Sequence, residues 1–325
     1  MSRFLVFLAL LCSQNSVLAV EAAGLGIDPA KITVSGMSSG AQMAHQLHLA
    51  YSDLFSGVAL LAGGPFGCAE GSVKNALGRC LGKPDNRIPV DELLSRIKQA
   101  AIDGRLASLE NLDNDPVWIF HGSLDVAVPE SVNAALIEMY QGLVPAKNIH
   151  PVSNIPATHT FPASGSGGAC DQIVPPYVGD CDYDAAGILL QTLYPGLVAP
   201  GTAVMTSLET VTLAGADEAL LDETAYLFVP PACTATGADC ALHLVLHGCA
   251  QSATQVQTGF IEQSGYLPWA EANQIVLAFP QAKPSMPNAL ACWDWWGYSG
   301  ENYLWRDGKQ MQLLANWIKD LANIP

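Results

Sequence analysis

Basic residues are scarce in this 325-residue chain. Lysine and arginine together number 14 against 30 aspartates and glutamates, and the formal net charge is -16. Nucleic acids and anionic membrane surfaces are bound largely by neutralising their phosphates with Lys and Arg. This composition therefore argues against both as partners and favours a substrate that is not polyanionic.

Long apolar runs and metal-type cysteine spacings are also missing. The longest N-terminal apolar run, residues 4–12, is about half of the roughly 20 residues that a membrane-spanning helix needs. No Cys-x-x-Cys pair or comparable Cys/His spacing is present, so a zinc site is the weaker interpretation of the nine cysteines. We expect no transmembrane segment, no metal and no internal repeat.

The N-terminus has the pattern of a secretory signal peptide. A short start containing Arg3 precedes the apolar run, and Val17-Leu18-Ala19 fits a small-residue cleavage site. We predict residues 1–19 as the signal, with cleavage after Ala22 as an alternative, and residues 20–325 as the mature chain. The protein is then expected in the periplasm or the medium, and Cys12 leaves with the signal.

Removal of Cys12 leaves eight cysteines, an even number that suggests disulfides in an exported chain. Eight cysteines allow 105 connectivities, but three pairs are close in sequence. Local spacing favours Cys68 with Cys80, Cys170 with Cys181 and Cys233 with Cys240, so that Cys249 and Cys292 pair as the remainder.

Strand-like and helix-like segments alternate along the chain, and most of the strands are apolar; the segment 202–211 alternates like a hairpin strand. This pattern is typical of an α/β fold whose mostly parallel sheet is covered by helices on both faces. The predicted strands are residues 32–34, 57–64, 116–120, 202–211, 224–229, 242–246 and 275–279, and the predicted helices are 41–51, 90–102, 129–140, 183–193, 264–273 and 308–322.

Gly36-Met37-Ser38-Ser39-Gly40 fits the G-x-S-x-G pattern and lies between a predicted strand and a predicted helix. A nucleophile elbow requires that context, because the turn is sharp and the flanking glycines avoid clashes with neighbouring backbone. Ser38 is the candidate nucleophile. The alternative is a glycine-rich turn with serine as an ordinary helix N-cap.

A serine nucleophile needs a base and an acid that orients the base. Asp125 follows the strand 116–120, at the sheet edge where Ser38 lies, and His159 lies in a loop further downstream. We predict them as acid and base. The other histidines are interpreted as surface or packing residues (His45, His48), a loop organiser (His121), a core residue (His243), the start of a strand-like stretch (His150) and the weaker candidate for the base (His247).

The donors for an oxyanion are expected to be two backbone N–H groups, those of Ser39 and Cys249. An apolar strand, residues 242–246, leads into His247-Gly248-Cys249. In α/β-hydrolases this His-Gly strand ordinarily precedes the nucleophile elbow, whereas here it follows the whole triad. We infer one circularly permuted domain over residues 20–325; a two-domain chain would require that the His-Gly loop be unrelated to Ser38.

Five segments in this order, GMSSG, HGSLD, PATHTFP, LHLVLHGC and CWDWW, resemble the single-domain, circularly permuted polyhydroxybutyrate depolymerases. The resemblance implies an α/β-hydrolase three-layer sandwich and a Ser38/Asp125/His159 triad. It further implies hydrolysis of (R)-3-hydroxybutyrate polyesters through an acyl-enzyme, without a metal or organic cofactor. We expect a monomer that acts on a polyester or oligoester.

An aromatic cluster follows Cys292. We predict that some of its members line an apolar cleft for the polyester, although large aromatics are also typical core residues. The candidates are Trp293, Trp295, Trp296, Tyr298 and Trp305.

Two other functions compete with this interpretation. A secreted feruloyl or acetyl esterase acting on plant polysaccharide would share the G-x-S-x-G and His-Gly-Cys pieces. A hydrolase fold that has lost catalysis and serves as a secreted binding protein is the alternative from another class.

Overall fold

The computed structural model describes residues 24–82, 87–201, 206–235 and 237–325. The predicted signal peptide and both cleavage positions lie outside these ranges, as does the first part of the strand predicted over residues 202–211.

An eight-stranded sheet forms the centre of the fold, in the order β4-β3-β2-β1-β10-β11-β9-β8. Its strands are β1 (Ile27–Met37), β2 (Val58–Leu61), β3 (Val117–Phe120), β4 (Ile149–Val152), β8 (Glu209–Thr212), β9 (Thr224–Phe228), β10 (Cys240–Leu246) and β11 (Ile275–Phe279). Neighbouring strands from β4 to β11 are parallel, and β9 is antiparallel to both β11 and β8. The predicted mostly parallel sheet is confirmed.

Helices cover both faces of this sheet. The helices are α1 (Ser39–Ala50), α2 (Val73–Leu77), α3 (Val90–Ile102), α4 (Glu130–Gln141), α5 (Ala185–Leu193), α6 (Ala253–Val256), α7 (Gly259–Gln263), α8 (Tyr266–Asn273) and α9 (Lys309–Leu321). One core cluster joins the sheet to α1, α3, α4 and α9, and a second joins the opposite face to α5, α7 and α8. The result is the three-layer α/β sandwich that the resemblance implies.

The strands are apolar because the central ones are buried on both faces. Every residue of Val58–Leu61 and of Cys240–Leu246 is buried, which explains why these segments show no alternation of apolar and polar residues. The helix predicted over residues 264–273 begins later than expected, since Gly265 has φ 86° and separates α7 from α8.

A second, small sheet holds the loop that carries His159. Its strands, which the sequence pattern did not predict, are β5 (Phe161–Ala163), β6 (Gly168–Ala169) and β7 (Val178–Asp180), in the order β5-β7-β6. These strands are only two or three residues long, too short to leave a periodic pattern.

Four disulfides join the cysteines in the pairs that the spacing favours. They are Cys68–Cys80, Cys170–Cys181, Cys233–Cys240 and Cys249–Cys292. None of the helices formed by the described residues is long and apolar enough to cross a membrane.

Candidate active site

Ser38 occupies a sharp turn between β1 and α1. Its backbone has φ 55° and ψ -116°, and its N–H donates to the Leu61 carbonyl at 2.8 Å. A Cβ at Gly36 would lie 2.2 Å from the backbone of Gly40, and a Cβ at Gly40 would lie 2.3 Å from the Leu246 carbonyl oxygen. Both flanking positions therefore require glycine, as a nucleophile elbow predicts.

Ser38, His159 and Asp125 form a continuous hydrogen-bonded chain. Ser38 Oγ lies 3.0 Å from His159 Nε2, and His159 Nδ1 lies 2.8 Å from Asp125 Oδ2. The other carboxylate oxygen of Asp125 accepts from the amides of Ala127 at 2.9 Å and Val128 at 3.0 Å. The sequence-predicted nucleophile, base and acid are thus brought together in the geometry that acyl transfer uses.

Burial alone would raise the pKa of Asp125, but His159 and the two loop amides outweigh it and hold the pKa below its ordinary value of 3.8. The carboxylate is therefore ionised at neutral pH. An ionised acceptor at this position favours the imidazole tautomer with its hydrogen on Nδ1, which leaves Nε2 free to accept a proton.

The loops that carry the acid and the base lie side by side. Ser123 and Leu124 donate backbone N–H groups to the carbonyls of Ile155 and Ala157, at 2.8 Å and 3.1 Å. The Cys170–Cys181 disulfide adjoins them, because the Cys170 carbonyl accepts from the Thr158 N–H at 3.1 Å. Asp125 and His159 are held in register by backbone contacts as well as by their own hydrogen bond.

The remaining histidines lie away from Ser38 Oγ or serve as supports. His121 donates to the Val128 carbonyl at 2.8 Å, which matches the predicted loop organiser. His243 is buried, contacts Thr33 and Ser35, and has a pKa lowered by burial to about 3. His150 is exposed on β4.

The interpretation of His45 and His48 as surface residues is wrong, and the alternative, that they are packing residues, describes them correctly. Both are fully buried, because α1 lies under other elements and none of its residues is exposed. His48 contacts Asp115 and Tyr140 at 3.1 Å each, and burial lowers the pKa of His45 to about 3.

The His-Gly-Cys loop follows β10, which is adjacent and parallel to β1. Ser39 and Cys249 both line the cavity above Ser38. The Ser39 amide belongs to the first residue of α1, where helix N–H groups are free to bind an anion. Cys249 is tied by its disulfide to Cys292. The two predicted oxyanion donors therefore border one site.

His247 supports this loop from beneath. Its Nε2 accepts from the Ala282 N–H at 3.1 Å, so its hydrogen resides on Nδ1, which donates to the Gly248 carbonyl at 2.7 Å. Burial lowers the pKa of His247 to about 4, and the ring stays neutral at pH 7. His247 holds the loop and does not reach Ser38 as a base.

Two cavities meet at Ser38 and His159. The larger, about 570 Å³, is walled by apolar side chains that include Val73, Leu77, Leu290, Trp295 and Trp296. The smaller, about 250 Å³, is bordered by Ile173, Tyr177 and the loop 248–251. No aspartate, glutamate, lysine or arginine is found among the described residues that line either cavity. Together they form an uncharged groove with the Ser38 hydroxyl at its floor.

Only two of the five candidate aromatics line the groove, which corrects the prediction for the other three. Trp293 is fully buried beneath the loop, where its indole N–H donates to the His247 carbonyl at 2.9 Å. The Tyr298 hydroxyl donates to the Cys292 carbonyl at 2.8 Å. Trp305 packs against Phe66, and Arg105 lies over its ring.

Asp294 is a supporting residue that the sequence reasoning missed, although it lies inside the CWDWW segment. Its fully buried carboxylate accepts hydrogen bonds from the backbone N–H groups of Trp296, Gly297, Tyr298 and Ser299 and from the Ser299 hydroxyl. The sequence did contain a signal for this role, namely an acidic residue that lies between tryptophans and precedes a turn containing Gly297 and Ser299. Asp294 holds the loop that presents Trp296 to the groove.

Protein-family models give no match to this chain. The chain is 41% identical over 324 residues to the poly(3-hydroxybutyrate) depolymerase of Delftia acidovorans, an alignment that covers 96% of this chain and 64% of that relative. The chain thus spans slightly under two thirds of that relative's length. It is 32% identical to the polyhydroxybutyrate depolymerase of Talaromyces funiculosus over 94% of each chain.

A solved structure shares the fold as well. It is a PHB depolymerase with a serine-to-alanine substitution, complexed with an R3HB trimer, and it matches with a TM-score of 0.85 and 29% sequence identity. The match covers 92% of this chain and 98% of that one. The sequence similarity, the fold and the arrangement around Ser38 agree, and the chain belongs to the polyhydroxybutyrate depolymerase family.

Proposed function

We propose that this chain hydrolyses the ester bonds of poly(3-hydroxybutyrate) and its oligomers through an acyl-enzyme on Ser38. The observation that carries the proposal is the hydrogen-bonded Ser38–His159–Asp125 chain at the floor of an uncharged, mostly apolar groove. The R3HB trimer bound to a relative of the same fold supports this class of substrate.

In the acylation step, His159 Nε2 accepts the proton of Ser38 as Oγ attacks the ester carbonyl. The tetrahedral oxyanion is stabilised by the N–H groups of Ser39 and Cys249, which do not need to reorganise during the reaction. His159 then protonates the departing alkoxide, which leaves as the hydroxyl end of the next unit. Asp125 stays ionised throughout and stabilises the imidazolium.

In the deacylation step, water replaces the alcohol. His159 accepts a proton from the water, the hydroxide attacks the acyl carbonyl, and the same two N–H groups stabilise the second oxyanion. Ser38 regains its proton from His159, and the carboxylic acid is released. The residues around Ser38 supply the base, the nucleophile and the oxyanion donors, so these two reaction steps need no metal or organic cofactor.

The groove extends to both sides of Ser38, and this suits a chain-like ester. The larger cavity, walled by Trp295 and Trp296, suits one side of the scissile bond, and the smaller cavity beside Tyr177 suits the other. A polyester of short hydroxy acids carries no charge along its length, so burying it in these cavities leaves no unpaired charge.

We infer that the mature chain is a single, circularly permuted domain. β10, which leads to the oxyanion loop, is adjacent to β1 in the sheet but follows it by about 200 residues in sequence. The two ends of the described chain also meet, since the Asn323 side chain donates to the Leu25 carbonyl at 3.4 Å. Adjacent ends are the condition under which a permuted connection is tolerated.

We further propose that the chain is exported and acts as a monomer. Disulfides persist in oxidising compartments, and the described part of the chain contains four. Sequencing the N-terminus of protein recovered outside the cytoplasm should show cleavage after Ala19 or Ala22. Light scattering should give the mass of one chain.

The decisive experiment compares clearing of a polyhydroxybutyrate emulsion with release of ferulate from a cinnamoyl ester. Wild-type protein should clear the emulsion, Ser38→Ala should not, and Ser56→Ala, at the opposite end of the sheet, should clear it normally. Cinnamoyl ester cleavage without clearing would favour the feruloyl esterase. Adsorption to the polymer without hydrolysis of any ester would favour the binding protein.

A further inference from the structure

Gln251 lies two residues after Cys249 of the His-Gly-Cys loop, and its side chain bridges two loops that border the groove. The residue is 2% exposed. Its Oε1 accepts from the Gly248 N–H at 2.6 Å, and its Nε2 donates to the carbonyls of Pro176 at 3.2 Å and Tyr177 at 3.0 Å. On the basis of the proposed esterase function, we infer that Gln251 is the positioning residue that aims the Cys249 N–H at the oxyanion.

The direction of the Cys249 N–H follows from the peptide plane that it shares with the Gly248 carbonyl. In a trans peptide the C=O and N–H point in opposite directions. The Gly248 carbonyl oxygen accepts from His247 Nδ1 at 2.7 Å and from the Gln251 backbone N–H at 3.3 Å. Because these two donors hold the Gly248 carbonyl, the Cys249 N–H points to the opposite side of the peptide, and Cys249 lines the groove.

The preceding peptide is fixed by the Gln251 side chain. Its carboxamide oxygen accepts a hydrogen bond from the Gly248 N–H, which holds the peptide between residues 247 and 248. The Gln251 backbone N–H donates to the Gly248 carbonyl, which holds the peptide between residues 248 and 249. Rotation of the loop would break both hydrogen bonds together. A preorganised donor of this kind is what gives an oxyanion site its effect on the rate.

The other end of the carboxamide reaches the wall of the smaller cavity. Tyr177 has φ 61°, a left-handed conformation that is uncommon for a tyrosine and that surrounding contacts must hold. Its carbonyl and that of Pro176 both accept from Gln251 Nε2. Gln251 thus couples the position of the oxyanion donor to the position of Tyr177 in the wall of the smaller cavity.

The site requires an amide and not merely a polar side chain. One end faces an N–H group and needs an acceptor, whereas the other faces two carbonyl oxygens and needs donors. Gln251→Glu keeps the shape but places a carboxylate against the two carbonyls, which burial and repulsion oppose. Gln251→Ala leaves one buried N–H group and two carbonyls without this partner.

The test uses p-nitrophenyl butyrate, a small soluble ester that does not depend on the polymer. We expect Gln251→Ala and Gln251→Glu to lower kcat by about 10- to 100-fold, approaching the loss of one oxyanion donor. KM should stay within about threefold, because the defect is in transition-state stabilisation. Gln281→Ala, which removes another buried, backbone-bridging glutamine outside both cavities, should leave kcat unchanged.

Two further measurements separate positioning from a general loss of structure. The ratio of Gln251→Glu to wild-type kcat should rise from pH 8 to pH 5, because protonation returns a donor to the introduced carboxyl. The rate of Ser38 phosphorylation by diethyl p-nitrophenyl phosphate should fall in parallel with kcat, since that reaction also develops an oxyanion.

Unchanged kcat in both Gln251 variants, or an equal loss in Gln281→Ala, would overturn this inference and leave the proposed function standing. Wild-type hydrolysis of p-nitrophenyl butyrate without clearing of the polymer would instead overturn the proposed substrate and leave the Gln251 result valid. Wild-type protein that hydrolyses no ester would overturn both.

Discussion

Asp125→Asn is the substitution whose effect the site geometry predicts most directly. One carboxylate oxygen of Asp125 faces two backbone N–H groups at 2.9 Å and 3.0 Å, and the other faces His159 Nδ1 at 2.8 Å. An asparagine would keep its carbonyl oxygen on the two N–H groups, because its NH₂ group would there face only donors. The NH₂ group must then face His159 Nδ1.

The consequence is the wrong tautomer of the imidazole. A His159 ring that accepts at Nδ1 carries its hydrogen on Nε2, the atom 3.0 Å from Ser38 Oγ. Nε2 can then donate to the serine but cannot accept its proton. We expect kcat to fall by about 10⁴-fold with little change in the fold, which corresponds to about 5 kcal/mol of transition-state stabilisation.

The assay is hydrolysis of p-nitrophenyl butyrate under saturating conditions, with unfolding followed in parallel. Asp115→Asn is a matched control, because Asp115 is also a buried acid that contacts a histidine, His48, at 3.1 Å, but it lines neither of the two cavities. The control should lose stability and keep its kcat. A fall of less than about tenfold in Asp125→Asn would contradict the tautomer argument.

Three further predictions follow from single contacts. In Gly40→Ala the new Cβ would lie 2.3 Å from the Leu246 carbonyl oxygen. This clash should lower the free energy of unfolding by about 3 kcal/mol or prevent folding. Gly201→Ala is the control and should have no such effect, because no atom lies within 4 Å of the position of its Cβ. The pKa of Asp125 is below its ordinary 3.8, so the ionised form stabilises the fold above that pH. This contribution is lost as the pH falls below 3.8 and through the native pKa, and the difference in the free energy of unfolding between wild type and Asp125→Asn should narrow there in urea titrations. Trp296→Ala should raise KM for an R3HB trimer by about tenfold, or about 1.4 kcal/mol, whereas Trp305→Phe should not.

The fold and the proximity of Ser38, Asp125 and His159 could be predicted from the sequence because their signals are local. A buried parallel strand is apolar at every position, as in Val58–Leu61, and the elbow combines two obligatory glycines with a strand on one side and a helix on the other. Asp125 and His159 follow strand-like segments in an order that fixes the edge of the sheet on which they lie. Each of these inferences needs only neighbouring residues.

The orientation of the aromatic residues could not be predicted in this way. The segment from Cys292 to Trp305 contains no regular helix or strand, so no period indicates which side chains point inward. Trp293 is buried because its indole bonds to the His247 carbonyl, more than 40 residues away in sequence. The role of Gln251 is similarly tertiary, since its partners include Pro176 and Tyr177, about 75 residues upstream.

Asp294 connects this irregular segment to substrate binding, and a final prediction separates its role from general stability. Its Oδ1 accepts from the N–H groups of Trp296, Gly297 and Tyr298 at 3.2, 2.7 and 3.1 Å, and its Oδ2 accepts from the Ser299 N–H and Oγ at 2.7 and 2.6 Å. Both oxygens are acceptors, and in Asp294→Asn one of the two groups of donors must face an NH₂ instead.

We expect Asp294→Asn to release the turn after Trp296, because the Ser299 N–H loses its acceptor. The free energy of unfolding should fall by about 1–3 kcal/mol. KM for an R3HB trimer should rise, while kcat/KM for p-nitrophenyl acetate, which is too small to reach the tryptophans, should stay within about twofold. Asp184→Asn is the matched control, since both Asp184 oxygens also accept hydrogen bonds, from the Gly187 N–H and the Trp269 indole, on the other face of the sheet. An equal rise in KM in both variants would show that the effect comes from lost stability; a rise confined to Asp294→Asn would show that this carboxylate orients the groove wall.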